Sequence, residues 1–236
     1  MKNIFFIKIN TTFAIATLFL ALLATSVKGQ IVYSNTGANT TGFVITYPFG
    51  ASLTSNGTDL VLNEGGIWDT LPVTVTGNFQ LSYQVYNNSG DGDSHVMLLN
   101  NGTTGGVGVT NSPQNTDTPS INIVSATDFT NYNQYFFPTA SETLATALSH
   151  AFPNDTWTQI IVTKFGNILT DNVGGQTIQY NVSGLGLSSS FQIGLGGYAT
   201  TNLGGAGQLL YSNIVVTEIP EPSCLKLLTI GLVFAL

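Results

Sequence analysis

Apolar and polar residues alternate over short stretches through the middle of the chain, and clusters of Gly, Asn, Asp and Pro separate these stretches. In residues 79–86 the alternation is complete, because Phe79, Leu81, Tyr83 and Val85 occupy every second position. A period of two residues places successive side chains on opposite faces of a strand. Many short strands divided by turn signals are typical of an all-β sandwich or barrel.

Fourteen stretches are candidate strands by this pattern. They span residues 31–33, 42–46, 59–62, 73–76, 79–86, 95–99, 107–110, 121–125, 134–137, 156–164, 168–171, 177–182, 191–195 and 209–217. Residues 141–148 are predicted to form one short helix, since they begin at the capping residue Ser141 and end before Pro153. We find no linker and no internal repeat in this region, so the sequence predicts a single domain.

The charge of the chain limits the classes of partner that it can bind. Only 7% of the residues are charged. Lys164 is the only base between Gln30 and Thr217, a span with ten acids and therefore a net charge of −9. Nucleic acids, phosphate ligands and anionic lipids are bound through Lys and Arg, so the sequence excludes these partners. Hydrophobic residues make up 43% of the chain, which excludes a disordered protein.

The N-terminal residues 1–29 have the order of a secretory signal peptide. Lys2 and Lys8 precede an apolar run over residues 13–24, and small residues follow before a polar segment. Cleavage after Ser26 and cleavage after Gly29 are both compatible with the small residues that precede a signal-peptide cleavage site. An uncleaved membrane anchor is the competing interpretation, which the shortness of the apolar run disfavours. The segment predicts export.

A sorting motif stands near the other end. Pro220-Glu221-Pro222-Ser223 lies between the strand-rich region and an apolar tail, an arrangement that resembles the PEP-CTERM sorting signal of Gram-negative bacteria. The resemblance implies an exosortase-type processing protease as partner, transient insertion into the inner membrane, and release to the cell surface or extracellular matrix. Within residues 218–236 the tail stops 13 residues after Ser223 and has no terminal basic cluster, so this signal is incomplete or degenerate.

The strand-rich region has a second resemblance. Residues 155–164, a turn at 165–167 and residues 168–176 are similar to a hairpin of concanavalin A-like lectin/glucanase domains, including laminin-G-like ones. Residues 77–83 resemble an early strand of that family, 191–196 a strand near its end, and 211–217 its closing strand, which returns to the first. The resemblance implies that residues 30–217 form a jelly-roll β-sandwich of two antiparallel sheets, flanked by helical terminal segments. It places Trp157, which opens the hairpin, in the core.

Catalysis is not expected from this chain. The glucanases that the domain resembles carry a Glu-x-Asp-x-(x)-Glu pattern, which places paired carboxylates on one face of a strand. Between residues 30 and 217 the only glutamates are Glu64 and Glu142, and neither has another acid within four residues. A divergent glycoside hydrolase or polysaccharide lyase that uses an isolated acid such as Asp69 or Asp171 is the alternative.

Two kinds of ligand site can be proposed from residue types. The polar loop over residues 87–95 carries Asp91 and Asp93, whose oxygens could hold calcium (Ca²⁺), although a solvated hairpin loop is the favoured interpretation. Aromatic rings stack on sugars and amides bind their hydroxyl groups, so the candidate glycan-binding residues are those in or beside Gly- and Asn-rich segments. They are Trp68, Tyr86, His95 and Tyr198.

The sequence thus predicts an exported cell-surface or matrix protein with a non-catalytic, lectin-like domain. Its ligand would be a glycan or exopolysaccharide. A structural envelope protein without a ligand is the alternative reading of the same residues.

Overall fold

β-strands form all the regular secondary structure in the described part of the computed structural model. The structure describes residues 29–41, 43–45, 52–63, 65–88, 93–100, 106–111, 120–124, 152–184, 186–199 and 207–220. The strands are β1 (Gln30–Asn35), β2 (Val44–Ile45), β3 (Ser52–Ser55), β4 (Leu60–Asn63), β5 (Gly65–Thr76), β6 (Asn78–Asn87), β7 (Asp93–Asn100), β8 (Gly106–Asn111), β9 (Ser120–Val124), β10 (Trp157–Phe165), β11 (Ile168–Val173), β12 (Gln176–Asn181), β13 (Ser190–Ala199) and β14 (Gln208–Ile219).

Several predicted features lie outside the described residues. These are the helix at 141–148, the strand at 134–137, the signal peptide up to residue 28, and Glu221, Pro222 and Ser223 of the sorting motif. Pro220 is described and is exposed. Gly29–Glu221 forms one compact unit. Within the described ranges, no helix has the length and apolar character needed to cross a membrane.

The strands pair into two sheets. The first has eight strands, in the order β12-β11-β10-β6-β14-β4-β3, and β1 also pairs with β14. The second has six strands, in the order β2-β5-β13-β7-β8-β9. Neighbouring strands in both sheets are antiparallel. This arrangement confirms the predicted all-β sandwich of two antiparallel sheets.

The core lies between the sheets. Phe79, Leu81, Tyr83 and Val85 on β6 are fully buried, as the alternation predicts. Phe79 of the eight-stranded sheet packs edge-to-face on Phe191 of the six-stranded sheet, with ring centroids 5.4 Å apart. Burying one such side chain contributes about 1.5–3 kcal/mol to stability, so the two inner faces hold the sandwich together without disulfides.

Two parts of the predicted pairing scheme occur as expected. β10 and β11 form an antiparallel hairpin in which Phe165 pairs with Ile168 across the turn. The closing strand β14 returns to the first strand β1, where Glu218 pairs with Gln30.

Strand β5 is much longer than the predicted 73–76. Its first part contains Gly65, Gly66 and Pro72, which are residues that commonly end a strand. Pro72 is tolerated because the pairing of β5 with β13 shifts register between Gln192 and Gly194, opposite this part of β5. Proline inside a sheet is confined to bulges and edges. Strand β3 was also not predicted, since an edge strand with one apolar residue carries little periodic signal.

Candidate functional site

The central strand of the six-stranded sheet presents glycines to its outer face. On β13, Ile193 and Leu195 are buried in the core. Strand alternation therefore assigns Gly194 and Gly196 to the opposite, outer face. Because glycine has no side chain, the backbone of β13 forms the floor between its two neighbouring strands.

Three of the four candidate glycan-binding residues take up neighbouring positions around this floor. Gly196 pairs with Trp68 of β5 on one side and with His95 of β7 on the other. With strands about 4.8 Å apart, the backbone positions of Trp68 and His95 are separated by about 10 Å across the sheet. Tyr198, two residues further along β13, pairs with Asp93 of β7. The sheet thus brings together two aromatic residues and an imidazole that are distant in sequence.

This site has parts that the sequence reasoning missed. Gly194 and Gly196 were not singled out, although the order Gly194-Leu195-Gly196 already places both glycines on one face of a strand. His95 pairs onward with Thr110 of β8, which extends the row of paired positions to a fourth strand.

The fourth candidate, Tyr86, lies on the other sheet. It is half-buried on β6, and Trp157 of β10 pairs directly opposite it. The ring centroids are 5.6 Å apart and the planes are inclined by 50°. The structure therefore does not bring Tyr86 together with Trp68, His95 and Tyr198.

The prediction that Trp157 belongs to the core is wrong. Its side chain is 41% exposed, although it opens strand β10 as expected. The neighbouring Thr158 is buried. Because successive side chains alternate between faces, Trp157 must lie on the outer face of the eight-stranded sheet.

The calcium site stays a prediction. Asp91 lies outside the described residues, and Asp93 is the first residue of β7. Across the described ranges, no three His, Cys, Asp or Glu residues stand close enough to hold a metal ion.

Asp171, one of the two acids considered for catalysis, lies in the interior. It is 0% exposed, and its carboxylate oxygens make no hydrogen bond within the described structure. Burial raises the pKa of this carboxyl to about 7, while the amide of Asn111 acts in the opposite direction. A polysaccharide on the surface cannot reach this group, so Asp171 is unsuited to glycan cleavage. Asp69 pairs with Leu195 of β13 and Ile45 of β2.

The fold is shared with solved structures. A Bacillus subtilis protein of unknown function with a galectin-like fold matches at a TM-score of 0.55 and 9% identity, over 81% of this chain and 97% of that one. The carbohydrate recognition domain of Emp46p, in its potassium-bound form, matches at a TM-score of 0.56 and 9% identity, over 83% and 97%.

A third match is a candidate glycosyl hydrolase from Parabacteroides distasonis, with a TM-score of 0.50 and 11% identity over 79% of this chain and 99% of that one. No family model matches the chain, and no curated protein sequence matches it. Together the structural matches show the fold, a galectin-like jelly-roll sandwich.

Proposed function

We propose that the chain is an exported, non-catalytic protein that binds glycan, or exopolysaccharide, through the outer face of its six-stranded sheet. The register that sets Trp68 and His95 on either side of Gly196 carries this proposal. An aromatic residue beside a glycine backbone suits the apolar face of a sugar ring, and imidazole and hydroxyl groups suit its hydroxyls. The carbohydrate recognition domain among the structural matches supports the same assignment.

The charge of residues 30–217 sets the class of glycan. Ten acids and a single Lys repel uronic-acid and sulfated polymers, so the ligand is a neutral polysaccharide. The buried position of Asp171 and the absence of an acid pair from the sequence support a role in binding rather than cleavage.

Affinity electrophoresis of the full-length chain tests this function. Gels would contain dextran, galactomannan or mixed-linkage β-glucan as neutral polymers and alginate as the anionic one, each with and without Ca²⁺. We expect retardation by a neutral polymer and none by alginate. Trp68→Ala and His95→Ala should each weaken binding, by about tenfold if these side chains are hot spots. Phe165→Ala is the matched control, because Phe165 is 52% exposed at the β10–β11 turn of the other sheet.

Two results would overturn the proposal. Unchanged mobility in every gel would leave a structural envelope role without a ligand. Release of reducing ends from any of these polymers would make the protein a divergent hydrolase or lyase.

The place of action is the second half of the proposal. The signal-peptide pattern of residues 1–29 and the Pro220-Glu221-Pro222-Ser223 motif support export to the surface or matrix of a Gram-negative bacterium, with an exosortase-type protease releasing the chain from transient inner-membrane insertion. Replacing Pro220, Glu221 and Pro222 by Ala in an exosortase-bearing host should retain the protein in the inner-membrane fraction. Equal release of the variant and the unaltered chain would refute this sorting route.

A further inference from the structure

The outer face of the eight-stranded sheet carries no charge along five of its strands, β6, β10, β11, β12 and β14. These strands contain only three charged residues, and all three belong to the inner side. Lys164 places its ammonium 5.7 Å from the centroid of the Phe191 ring of the opposite sheet. Asp171 is buried in the core, and Glu218 accepts a hydrogen bond from the backbone of Thr76 on β5. The outer face is therefore built from amide, hydroxyl and apolar side chains.

Tyr86 and Trp157 form an open aromatic bracket at one end of this face. Their inclined rings have centroids 5.6 Å apart, and Trp157 is 41% exposed. The exposed part of the Trp157 ring offers its π-face to an apolar surface of similar size. Asp155, two residues earlier in the chain, is exposed as well.

Amide groups stand next to the aromatic bracket and are held in place. Gln159 and Gln84 pair with each other two residues along β10 and β6, about 7 Å from the bracket. Gln159 Nε2 donates to Ser82 Oγ and to the carbonyl of Tyr83, each over 2.9 Å.

A β-bulge on β14 adds a third amide beside Gln84 and Gln159. The pairing of β14 with β6 shifts register between Ser212 and Val215, and Asn213 within the shift has a φ of 52°. The exposed Asn213 side chain donates to Oε1 of Gln84 over 2.7 Å. Bulges commonly turn a side chain toward a functional surface, and Asn tolerates the left-handed conformation. The bulge thus fixes a third amide beside the first two.

The side chains on the outer face of the eight-stranded sheet favour a neutral sugar over a second copy of the chain or an anionic ligand. Packing against a second copy of the chain would bury Gln84, Gln159 and Asn213, and each polar group left unpaired would cost about 1–3 kcal/mol. Anionic ligands find no Lys or Arg on the outer side of these five strands. A neutral sugar satisfies both requirements, because its ring stacks on Trp157 and its hydroxyls pair with the amides while water fills the remainder.

We propose that Tyr86 and Trp157, with Gln84, Gln159 and Asn213, form a second binding site for neutral polysaccharide. The outer faces of a sandwich point in opposite directions, so one straight stretch of polymer cannot occupy both sites. Two sites on one rigid domain join separate polymer chains, which makes the protein a cross-linker of its matrix. The cross-linking part rests on the proposed function, whereas the second site does not.

Titration calorimetry and turbidity of the full-length chain test both parts. The probes are dextran, galactomannan and mixed-linkage β-glucan for turbidity, and short oligosaccharides of each for calorimetry. Trp157→Ala should weaken one class of sites by about tenfold and abolish turbidity. Trp157→Phe, which keeps a ring, should retain part of both signals. Phe165→Ala, an exposed ring at the other end of the same strand, is the control.

The outcomes separate the two proposals. If Trp157→Ala and Trp68→Ala each remove one class of sites, both are supported. If Trp68→Ala alone weakens binding, the second site is wrong and the proposed function stands. If Trp157→Ala alone does so, the second site stands but the six-stranded face and the cross-linking are wrong. Binding to no polymer overturns both, and a Trp157→Ala effect on oligomeric state alone would make this face a dimer interface.

Discussion

Asp171→Asn is expected to remove most of the pH dependence of stability that this carboxyl imposes on the fold. The side chain is fully buried and its oxygens make no hydrogen bond to the described residues. Tyr83, also fully buried, is the neighbouring hydroxyl, and its own hydrogen bond joins it to Ser94 over 2.9 Å. Ionisation would place a charge in the desolvated interior, and the amide of Asn111 offsets only part of that cost. Burial accordingly raises its pKa from 3.8 to about 7.

The direction and size of the change in stability with pH follow from the linkage between proton binding and folding. The folded chain holds this proton more tightly than the unfolded chain does, so the contribution of Asp171 to stability is greatest below pH 3.8 and is lost as the pH rises to about 7. At 1.36 kcal/mol per pKa unit, the loss is about 4 kcal/mol. Asparagine has nearly the same shape and does not titrate. The variant should match the unaltered chain near pH 4 and be more stable than it at pH 8, by up to about 4 kcal/mol.

Urea unfolding followed by tryptophan fluorescence at pH 4.5, 6 and 8 measures this difference. Asp155→Asn is the matched control, since Asp155 is exposed and has a φ of 54°, a conformation that Asn also tolerates. The control should keep the slope of the unaltered chain. If the stability curves of the unaltered chain and Asp171→Asn run parallel between pH 4.5 and 8, the assignment of a buried, protonated Asp171 is refuted.

Three further substitutions probe close approaches, the core and the site. Gly37→Ala should lower the unfolding free energy more than Gly57→Ala: both have φ near 100°, but a Cβ at Gly37 would lie 2.6 Å from the Thr58 carbonyl oxygen, whereas nothing lies within 4 Å at Gly57. Equal melting temperatures would contradict this. Phe79→Ala should cost about 3–5 kcal/mol in urea unfolding, and a loss below 1 kcal/mol would show that the core collapses around the gap. Gly196→Val should weaken glycan binding about tenfold in affinity gels, because it adds a side chain between the paired positions Trp68 and His95. Unchanged binding by the folded variant would remove β13 from the site.

The sequence carries clear information where one face of a strand is uniformly apolar. Strand β6 is such a case, and its buried and half-buried residues alternate without exception from Leu81 to Val85. Strand β10 is not, because apolar residues occur in both phases: Trp157 and Ile161 in one, Ile160 and Val162 in the other. Pattern alone cannot say which phase faces inward. The pairing with β6 decides it, and this is why the exposed position of Trp157 was missed.

The candidate site depends on contacts that are distant in sequence. Trp68 and His95 become neighbours only because β5 and β7 both pair with β13, which lies about a hundred residues later. Residue types suggested each member separately, but register between non-consecutive strands is fixed by the packed core and not by local signals. The grouping of Trp68, His95 and Tyr198, and the separation of Tyr86 from them, therefore required the structure.

The pairing of β1 with β14 also brings the two ends of the folded region close together. Gln30 and Glu218 are direct partners, so the entry and exit of the folded region are about 5 Å apart. A domain with adjacent ends can be inserted into a loop of another protein without forcing the ends of that loop apart. For the same reason, a short linker could join residues 30 and 218 and new termini could be opened at the exposed turn after Phe165. The sandwich is thus suited to circular permutation and to display as an insert within a larger surface protein.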